Sequence, residues 1–490
     1  MRRATPERHH GPARCSPGLP GHRGSLTAWV AIVIRLLVLP LGLLMALAAA
    51  GDEARIRVDA AHHGFIDGSG HPFVPVGVSY YRPGTGWAPQ LWKRFDAEAT
   101  RQDFARLRSM GMTTVRVFIT FGSFYTQPGH LDAAGLAVFD RLLDLADEAG
   151  LHVHPTGPEG WEGMPEWTQA IGDVFTDLGN EACLAAVEDF WRLFAARYRG
   201  RATIWAYDLR NEPVVAWETT SAQRGWSAWR ASRGRQPVAV PSALAAPGAP
   251  AQAGDDDLLD YQHFREQVAE TWVERQARAI RLADPSALVT LGLLQWSIPA
   301  QGMPARQYSG FRPALIARHL DFLELHYYPL ATGVYRYQGE EAEAANLAVL
   351  EAMARECAKP GLPLVIAEFG WYGGGPLDEH GPPASEEQQA RWCGQVVQVT
   401  RSLACGWLNW GMYDDPQATD VSRLTGLITV DGADKAWGRA FTALARQRAA
   451  GAAPFALPDR PDLPWDACCV RAEAGEAFRK AYLAAFLQHR

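Results

Sequence analysis

The sequence has no excess of positive charge. Its 490 residues include 47 Lys and Arg against 54 Asp and Glu, which gives a formal net charge of -7. Proteins that bind DNA or RNA present basic surfaces to the phosphate backbone. The charge balance therefore argues against nucleic acid as a partner.

The sequence also lacks any cysteine pattern that is typical of a metal site. None of its seven cysteines forms a C-x-x-C pair or a Cys/His spacing suited to zinc. We expect no metal centre. The cysteines beyond the N-terminal segment are either buried free thiols or, in an oxidising compartment, disulfides whose pairing the sequence does not reveal; they are Cys183, Cys357, Cys393, Cys405, Cys468 and Cys469.

What the N-terminus does contain is an apolar tract, from Leu26 to Ala50, whose one charge is Arg35. Several arginines precede it, and Ala48-Ala49-Ala50 is an acceptable small-residue cleavage site. These features predict that residues 1–50 are a signal peptide and that the protein is secreted or periplasmic. An uncleaved membrane anchor is the alternative, although Arg35 and Pro40 disfavour a regular span.

Beyond residue 50, short apolar runs typical of buried strands alternate with amphipathic stretches that have helical spacing. Glycines such as Gly111 and Gly150 end the helical stretches, and Ser385 with Gln388 predicts a capping box. Alternation of strands and helices predicts parallel strands, and eight strands close most simply into an α/β fold, the (β/α)8 TIM barrel. The eight runs are 73–80, 113–118, 151–154, 204–209, 287–293, 322–325, 364–369 and 405–410.

Three segments lie outside this repeat. Apolar residues at 56–58 and 65–66 beside a turn-rich 67–70 predict an N-terminal hairpin that plugs one end of the barrel. A long insertion of low complexity, about 218–257, follows the fourth strand and could either cover the cleft or form a surface excursion. We expect the catalytic barrel to span 51–450 and a tail, 451–490, to pack on it.

Two glutamates stand at the ends of strand-like runs. Glu212 follows the run 204–209, and Glu368 lies near the end of 364–369. A buried carboxylate is costly unless a site uses it, and the C-terminal strand ends of such a barrel converge on one mouth. Two carboxylic acids there could divide the cleavage of a glycosidic bond, one donating a proton and the other attacking or activating water.

The motifs at the strand ends resemble those of glycoside hydrolase family 5, a cellulase and mannanase family. They are Asn211-Glu212-Pro213 after the fourth run, His326-Tyr327-Tyr328-Pro329 after the sixth, Glu368-Phe369-Gly370 after the seventh and Trp410 after the eighth. The resemblance covers roughly residues 56–415. It implies a retaining hydrolase that cleaves a β-linked glucan, mannan or related oligosaccharide by double displacement, with no cofactor.

The resemblance also implies a role for each matching residue. Glu212 would be the general acid/base and Glu368 the nucleophile. Arg116 would supply a cation near the nucleophile, and Tyr328 would donate a hydrogen bond to its carboxylate. Asn211 would bind the 2-hydroxyl of the sugar.

Five further residues are expected to bind substrate. His154 and His326 would hold sugar hydroxyls or the catalytic carboxylates, and Trp410 would form the floor of the subsite for the sugar being cleaved. Trp296 and Trp371, which fall just beyond strand ends, are candidates for stacking on sugar rings. The sequence around His154 differs from the usual sequence of the family's third strand. A structural histidine is therefore the alternative at position 154.

The sequence is also compatible with two other functions. An exo-acting β-glycosidase of a related barrel family, β-galactosidase-like or β-xylosidase-like, is consistent with a long fourth loop that turns a cleft into a pocket. A non-catalytic, membrane-tethered carbohydrate-binding barrel is the other, although the presence of both glutamates argues against it.

Overall fold

Eight parallel strands close into a barrel, as the sequence predicts. The computed structural model describes residues 55–488 except 62, 86–87, 242–254, 330–339, 372–383 and 449–456, so the N-terminal segment 1–50 lies outside the described residues. Neighbouring strands pair in the order of the chain, and the last pairs with the first. The barrel strands are β4 (Val76–Ser79), β5 (Thr114–Thr120), β6 (His152–Glu159), β7 (Tyr207–Asn211), β8 (Val289–Leu293), β9 (Leu323–Tyr327), β10 (Leu364–Phe369) and β11 (Gly406–Asn409).

The strands are buried on both faces. Every residue of β5, β9 and β10 is buried, because one face packs on the surrounding helices and the other fills the barrel. The third barrel strand, β6, is longer than the predicted run 151–154 and continues through Pro155 and Pro158 to Glu159. This extension moves its C-terminal end five residues beyond His154.

Helices separate the strands and begin at the caps that the sequence supplies. Asp96, Asp132 and Asn180 each accept backbone N–H bonds at a helix start, and Ser385 forms the predicted capping box with Gln388. The helices are α1 (Ala97–Ser109), α2 (Phe121–Phe124), α3 (Ala133–Ala149), α4 (Glu181–Arg197), α5 (Ala222–Ser232), α6 (Asp255–Ala283), α7 (Pro313–Ile316), α8 (Glu340–Ala358), α9 (Glu386–Thr400), α10 (Ala436–Arg448), α11 (Trp465–Val470) and α12 (Ala472–Leu487).

A small antiparallel sheet closes the N-terminal end of the barrel. It comprises β1 (Arg57–Val58), β2 (Phe65–Ile66) and β3 (Pro72–Phe73), so the predicted hairpin gains a third strand. Phe65 packs with ring centroids 5.1 Å from both Trp205 and Phe322, which lie next to the starts of β7 and β9. The site must therefore use the opposite end of the barrel.

The insertion after the fourth barrel strand is partly helical. Within it, α5 places Trp226 and Trp229 on one face, and both rings pack against Phe264 of α6. Residues 242–254 of the insertion lie outside the described part. The spacing of Trp226 and Trp229 favours a helix with one buried face.

The tail beyond the last barrel helix also forms helices. The hydroxyl of Tyr482 in α12 donates to Glu351 of α8 over 2.9 Å, and Arg460 binds the same carboxylate. In the described ranges of the chain, no helix has both the length and the apolar composition needed to cross a membrane.

Candidate active site

Both strands that carry the strand-end glutamates contain a register irregularity just before them. On β7, Asp208 pairs with Thr290 and Asn211 pairs with Gly292, so an advance of three residues along β7 matches two along β8. On β10, Ile366 pairs with Leu325 and Glu368 with His326. An extra residue in a strand bends it and redirects the side chain that follows. These bulges help to aim Glu212 and Glu368 into the barrel mouth.

The backbone at Glu212 is strained. With φ at 47°, it is the one residue other than glycine with positive φ among those described. This conformation costs about 1–3 kcal/mol and is often found at functional sites. Two hydrogen bonds hold it: Glu212 N–H donates to Gly292 O over 2.9 Å, and Asn211 N–H donates to Glu159 Oε1 over 2.8 Å.

His326 lies between the two glutamates. Its Nδ1 is 3.0 Å from Glu212 Oε1 and 3.5 Å from Glu368 Oε1, and its side chain is fully buried. A carboxylate oxygen of Glu212 and one of Glu368 lie within 4.8 Å of each other. The two acids and the imidazole therefore form one compact group at the strand ends.

Glu368 is surrounded by donors. Arg116 Nη1 donates to its Oε1, and the Tyr328 hydroxyl donates to its Oε2 over 2.9 Å. The pKa of Glu368 is raised overall, because the effect of burial outweighs the lowering by His326 and Arg116. Since both donors strengthen when the carboxylate is charged, they favour the ionised form that a nucleophile needs.

Glu212 has a different environment. Burial raises its pKa to about 7, and the nearby Arg116 only partly opposes this shift. About a third of its side chain is exposed to the cavity. A carboxyl group that holds its proton near neutral pH can donate that proton to a leaving group.

A cavity of about 300 Å³ opens above the two glutamates. Trp296 and Trp410 line it, as expected for aromatic residues that stack on sugar rings. Trp410 is held in place because its Nε1 donates to Ser422 Oγ over 2.8 Å. The complete lining is Trp161, Asn211, Glu212, Leu294, Gln295, Trp296, Tyr328, Glu368, Trp410, Asp420 and Val421.

Some lining residues could not be found from motifs. Gln295 accepts the backbone N–H of Tyr328 through Oε1 over 2.8 Å and so holds the loop that carries that tyrosine. Asp420 belongs to the loop after the last barrel strand, where its side chain accepts from Ser422 N–H over 2.9 Å. Neither residue lies in a strand-end motif, and the proximity of their loops to the site depends on the tertiary fold.

Two of the expected substrate-binding residues lie elsewhere. His154 is fully buried inside the barrel, where Nε2 is 2.7 Å from Glu324 Oε1 and Nδ1 is 3.0 Å from Ala206 O. The expectation that it contacts sugar hydroxyls or the catalytic carboxylates is wrong in this structure, because both ring nitrogens face other groups. Trp371 is buried against Trp392, with ring centroids 5.8 Å apart, and does not line the cavity.

Charged residues that the sequence analysis did not single out lie beneath the site. Asp208 and Glu324 are fully buried, and Arg116 donates to Asp208 Oδ2 over 3.0 Å and to Asn211 Oδ1 over 2.9 Å. Both acids lie within apolar, strand-like runs. A charged residue in such a run is the sequence signal for a charge that faces the barrel interior. His154, Asp208 and Glu324 lie close together. His154 bonds directly to Glu324, and Arg116 bonds to Asp208.

Removing the central cation should destabilise the fold. Arg116→Met leaves Asp208 and Glu368 without their buried counter-charge, and we expect the free energy of unfolding to fall by about 3–5 kcal/mol. Chemical denaturation monitored by circular dichroism measures the change. Arg101→Met, which removes an exposed ion pair with Glu98 and Glu148, is the matched control and should have little effect. Equal losses in the two variants would contradict the structural role of Arg116.

Solved structures share this barrel. The exo-β-1,4-mannosidase Op5Man5 from Opitutaceae bacterium strain TAV5 has 22% identity and a TM-score of 0.58, with 81% of this chain and 63% of that protein covered. The GH5_18 structure from Streptomyces cattleya in complex with GlcNAc has 20% identity and a TM-score of 0.59, covering 83% of this chain and 90% of that one. A β-galactosidase from the psychrophilic Marinomonas ef1 has 16% identity and a TM-score of 0.57, covering 76% of this chain and 59% of that one. At these identities the likeness shows the fold.

A family model gives the more specific result. The chain spans less than two thirds of the mannosidase, and no curated protein matches its sequence. The model for cellulase (glycosyl hydrolase family 5), however, matches residues 66–416, which include every barrel strand and both glutamates. The chain is a glycoside hydrolase and belongs to glycosyl hydrolase family 5.

Proposed function

We propose that this protein is a retaining β-glycosidase that acts on β-linked gluco- or manno-oligosaccharides by double displacement. The observation that carries the proposal is the pairing of two close glutamates in unlike environments. Burial raises the pKa of both groups, to about 7 for Glu212, but Glu368 also receives hydrogen bonds from Arg116 and Tyr328 that stabilise its charge.

In the first step, Glu368 attacks the anomeric carbon as Glu212 gives its proton to the departing glycosidic oxygen. The C–O bond to the leaving group breaks, and an ester bond forms between the sugar and Glu368. In the second step, Glu212, now ionised, takes a proton from water, which attacks the anomeric carbon and releases Glu368. Each step inverts the centre, so the product keeps the configuration of the substrate.

The separation of the glutamates supports retention. Carboxyl groups of inverting glycosidases lie about 6.5–9.5 Å apart, which leaves room for a water molecule, whereas those of retaining enzymes are about 5–5.5 Å apart. Here one carboxylate oxygen of Glu212 and one of Glu368 lie within 4.8 Å of each other, so the two groups are close neighbours. This spacing suits direct attack by Glu368.

The substrate class rests on the cavity and on similar structures. The cavity presents Trp161, Trp296 and Trp410, and aromatic faces pack well on sugar rings. One similar structure is an exo-β-1,4-mannosidase, and another contains Manβ1-4GlcNAc. The volume of about 300 Å³ is at the small end for ligand pockets, which favours exo action as the second candidate.

Activity should depend on the proton that Glu212 holds. Because the first step needs Glu212 protonated, kcat/KM for substrates with poor leaving groups should fall about tenfold per pH unit above about pH 7. Aryl glycosides with good leaving groups need less proton donation and should show a smaller fall. A pH–rate profile on both substrate types tests this, and a flat profile up to pH 9 for the poor leaving group would contradict it.

The proposed function is tested by a panel of defined β-linked oligosaccharides with purified protein. We expect hydrolysis of at least one gluco- or manno-configured substrate, and proton NMR of the fresh product should show the β-anomer first. Product lengths from a longer oligomer separate exo from endo action. Hydrolysis that yields the α-anomer first, or no hydrolysis of any β-linked substrate, would overturn the proposal.

We also propose that the protein is exported, since residues 1–50 carry the features of a signal peptide. Mass spectrometry of protein expressed in a host that secretes it should show a mature chain that begins near Gly51. A membrane-bound chain that retains its first residue would favour an anchor instead.

A further inference from the structure

A layer of charged side chains fills the barrel directly below the catalytic glutamates. Arg116, His154, Asp208 and Glu324 are all fully buried. Their direct bonds are Arg116 to Asp208 at 3.0 Å and His154 to Glu324 at 2.7 Å. Inward-facing positions in this fold are usually filled by branched apolar residues. Two buried acids at such positions are costly, which suggests a role beyond packing.

His326 connects this layer to the glutamates. Its Nδ1 faces Glu212 at 3.0 Å, while its buried Nε2 has no hydrogen-bond partner among the described residues. A Cβ placed on Gly292 would lie 3.0 Å from His326 Nε2 and 3.1 Å from Asp208 Oδ2, so both atoms converge on the same small space. The buried Glu324 Oε2 likewise has no partner within the described ranges. Glu324 lies two residues before His326 on β9, on the same inward face.

We propose that Asp208 and Glu324 are positioning residues for the glycosidase reaction: Asp208 holds Arg116 beneath Glu368, and the two buried carboxylates supply negative charge below His326 and the catalytic glutamates. This inference rests on the proposed function. His326 contacts both glutamates through Nδ1, which is 3.0 Å from Glu212 Oε1 and 3.5 Å from Glu368 Oε1. Arg116, fixed by Asp208, directs its other nitrogen to Glu368.

The same two acids act on the glutamates through their charge. Burial raises the pKa of Asp208, and His154 lowers that of Glu324 against the effect of its burial. A negative charge below the site favours protons on the groups above it, so removing one should lower the pKa of both catalytic glutamates. The titratable groups that face Glu212, Glu368 and the two acids are Tyr81, Arg116, His154, Glu159, His326 and Tyr328.

The test is Glu324→Gln, which keeps the shape of the side chain and removes its charge. Both limbs of the kcat/KM profile should move to lower pH by at least about half a unit. Glu351→Gln is the matched control, because Glu351 is a buried acid in an ion pair on the outer helix α8, and its profile should match the wild type. A Glu324→Gln profile with unmoved limbs, even at reduced activity, would overturn the proposal and leave a structural role.

A second measurement does not require the variant to fold or any substrate to be found. In wild-type protein labelled with carbon-13 at its carboxyl groups, Asp208 should titrate above its ordinary range and Glu324 below its own. Ordinary titration of both acids would overturn the proposal. If this pattern is seen but no β-linked substrate is hydrolysed, the proposed function fails while the arrangement of the buried charges stands.

Discussion

Glu368→Gln should abolish turnover, with kcat reduced by about 10⁴-fold or more. An amide cannot form the ester that links the sugar to the protein, and it also gives Arg116 and Tyr328 a weaker acceptor than a carboxylate. Because the oxygen and nitrogen of Gln occupy nearly the same volume as the carboxylate, the variant should still bind substrate. Steady-state kinetics on the best oligosaccharide from the panel, with calorimetric binding, measure both properties.

The control for this variant is Glu266→Gln. Glu266 is also buried, and it accepts from the Tyr308 hydroxyl over 2.8 Å in a region behind the barrel strands. It should keep near-normal kcat. If Glu368→Gln retained normal activity, or if both variants lost activity equally through misfolding, the nucleophile would not be identified.

Glu212→Gln should lower kcat on natural oligosaccharides by about 10²–10⁴-fold, because no proton is available for the leaving group. Aryl glycosides with good leaving groups should pass the first step well. Their second step should be slow, since Glu212 is also the base that activates water. The glycosyl-enzyme therefore accumulates, and stopped-flow absorbance should show a burst of phenol followed by a low steady rate.

The pH dependence distinguishes this loss from a general defect. We expect a wild-type basic limb near pH 7 because the pKa of Glu212 is raised, and this limb should disappear in Glu212→Gln. Persistence of that limb in the variant would assign it to another group and contradict the acid role of Glu212.

The sequence predicted the barrel because its eight apolar runs correspond to the eight strands, and it located both glutamates because they end two of those runs. His154 shows where the approach fails. Pro155, Gly157 and Pro158 are typical strand breakers and predict that the third run ends at 154, yet β6 continues to Glu159. His154 therefore lies inside the barrel and not at its mouth.

Other parts of the site depend on features without a sequence pattern. The bulges in β7 and β10 change which residues face the mouth, and their positions follow from strand pairing. Trp371 falls just beyond a strand end, as a sugar platform would, but α9 packs over it through Trp392. The sequence shows Asp208 and Glu324 as acids within apolar runs. Their contacts with Arg116 and His154 form only when the barrel closes, so the sequence does not predict them.

The role of Glu368 as nucleophile is tested most directly by trapping the covalent intermediate. A 2-deoxy-2-fluoro glycoside with a good leaving group and the sugar configuration that the panel identifies slows the second step, so the glycosyl-enzyme should persist. Digestion and mass spectrometry should then find one added fluorosugar, on the peptide that contains Glu368. A label on any other residue, or continued hydrolysis of the reagent with no covalent adduct, would contradict the account.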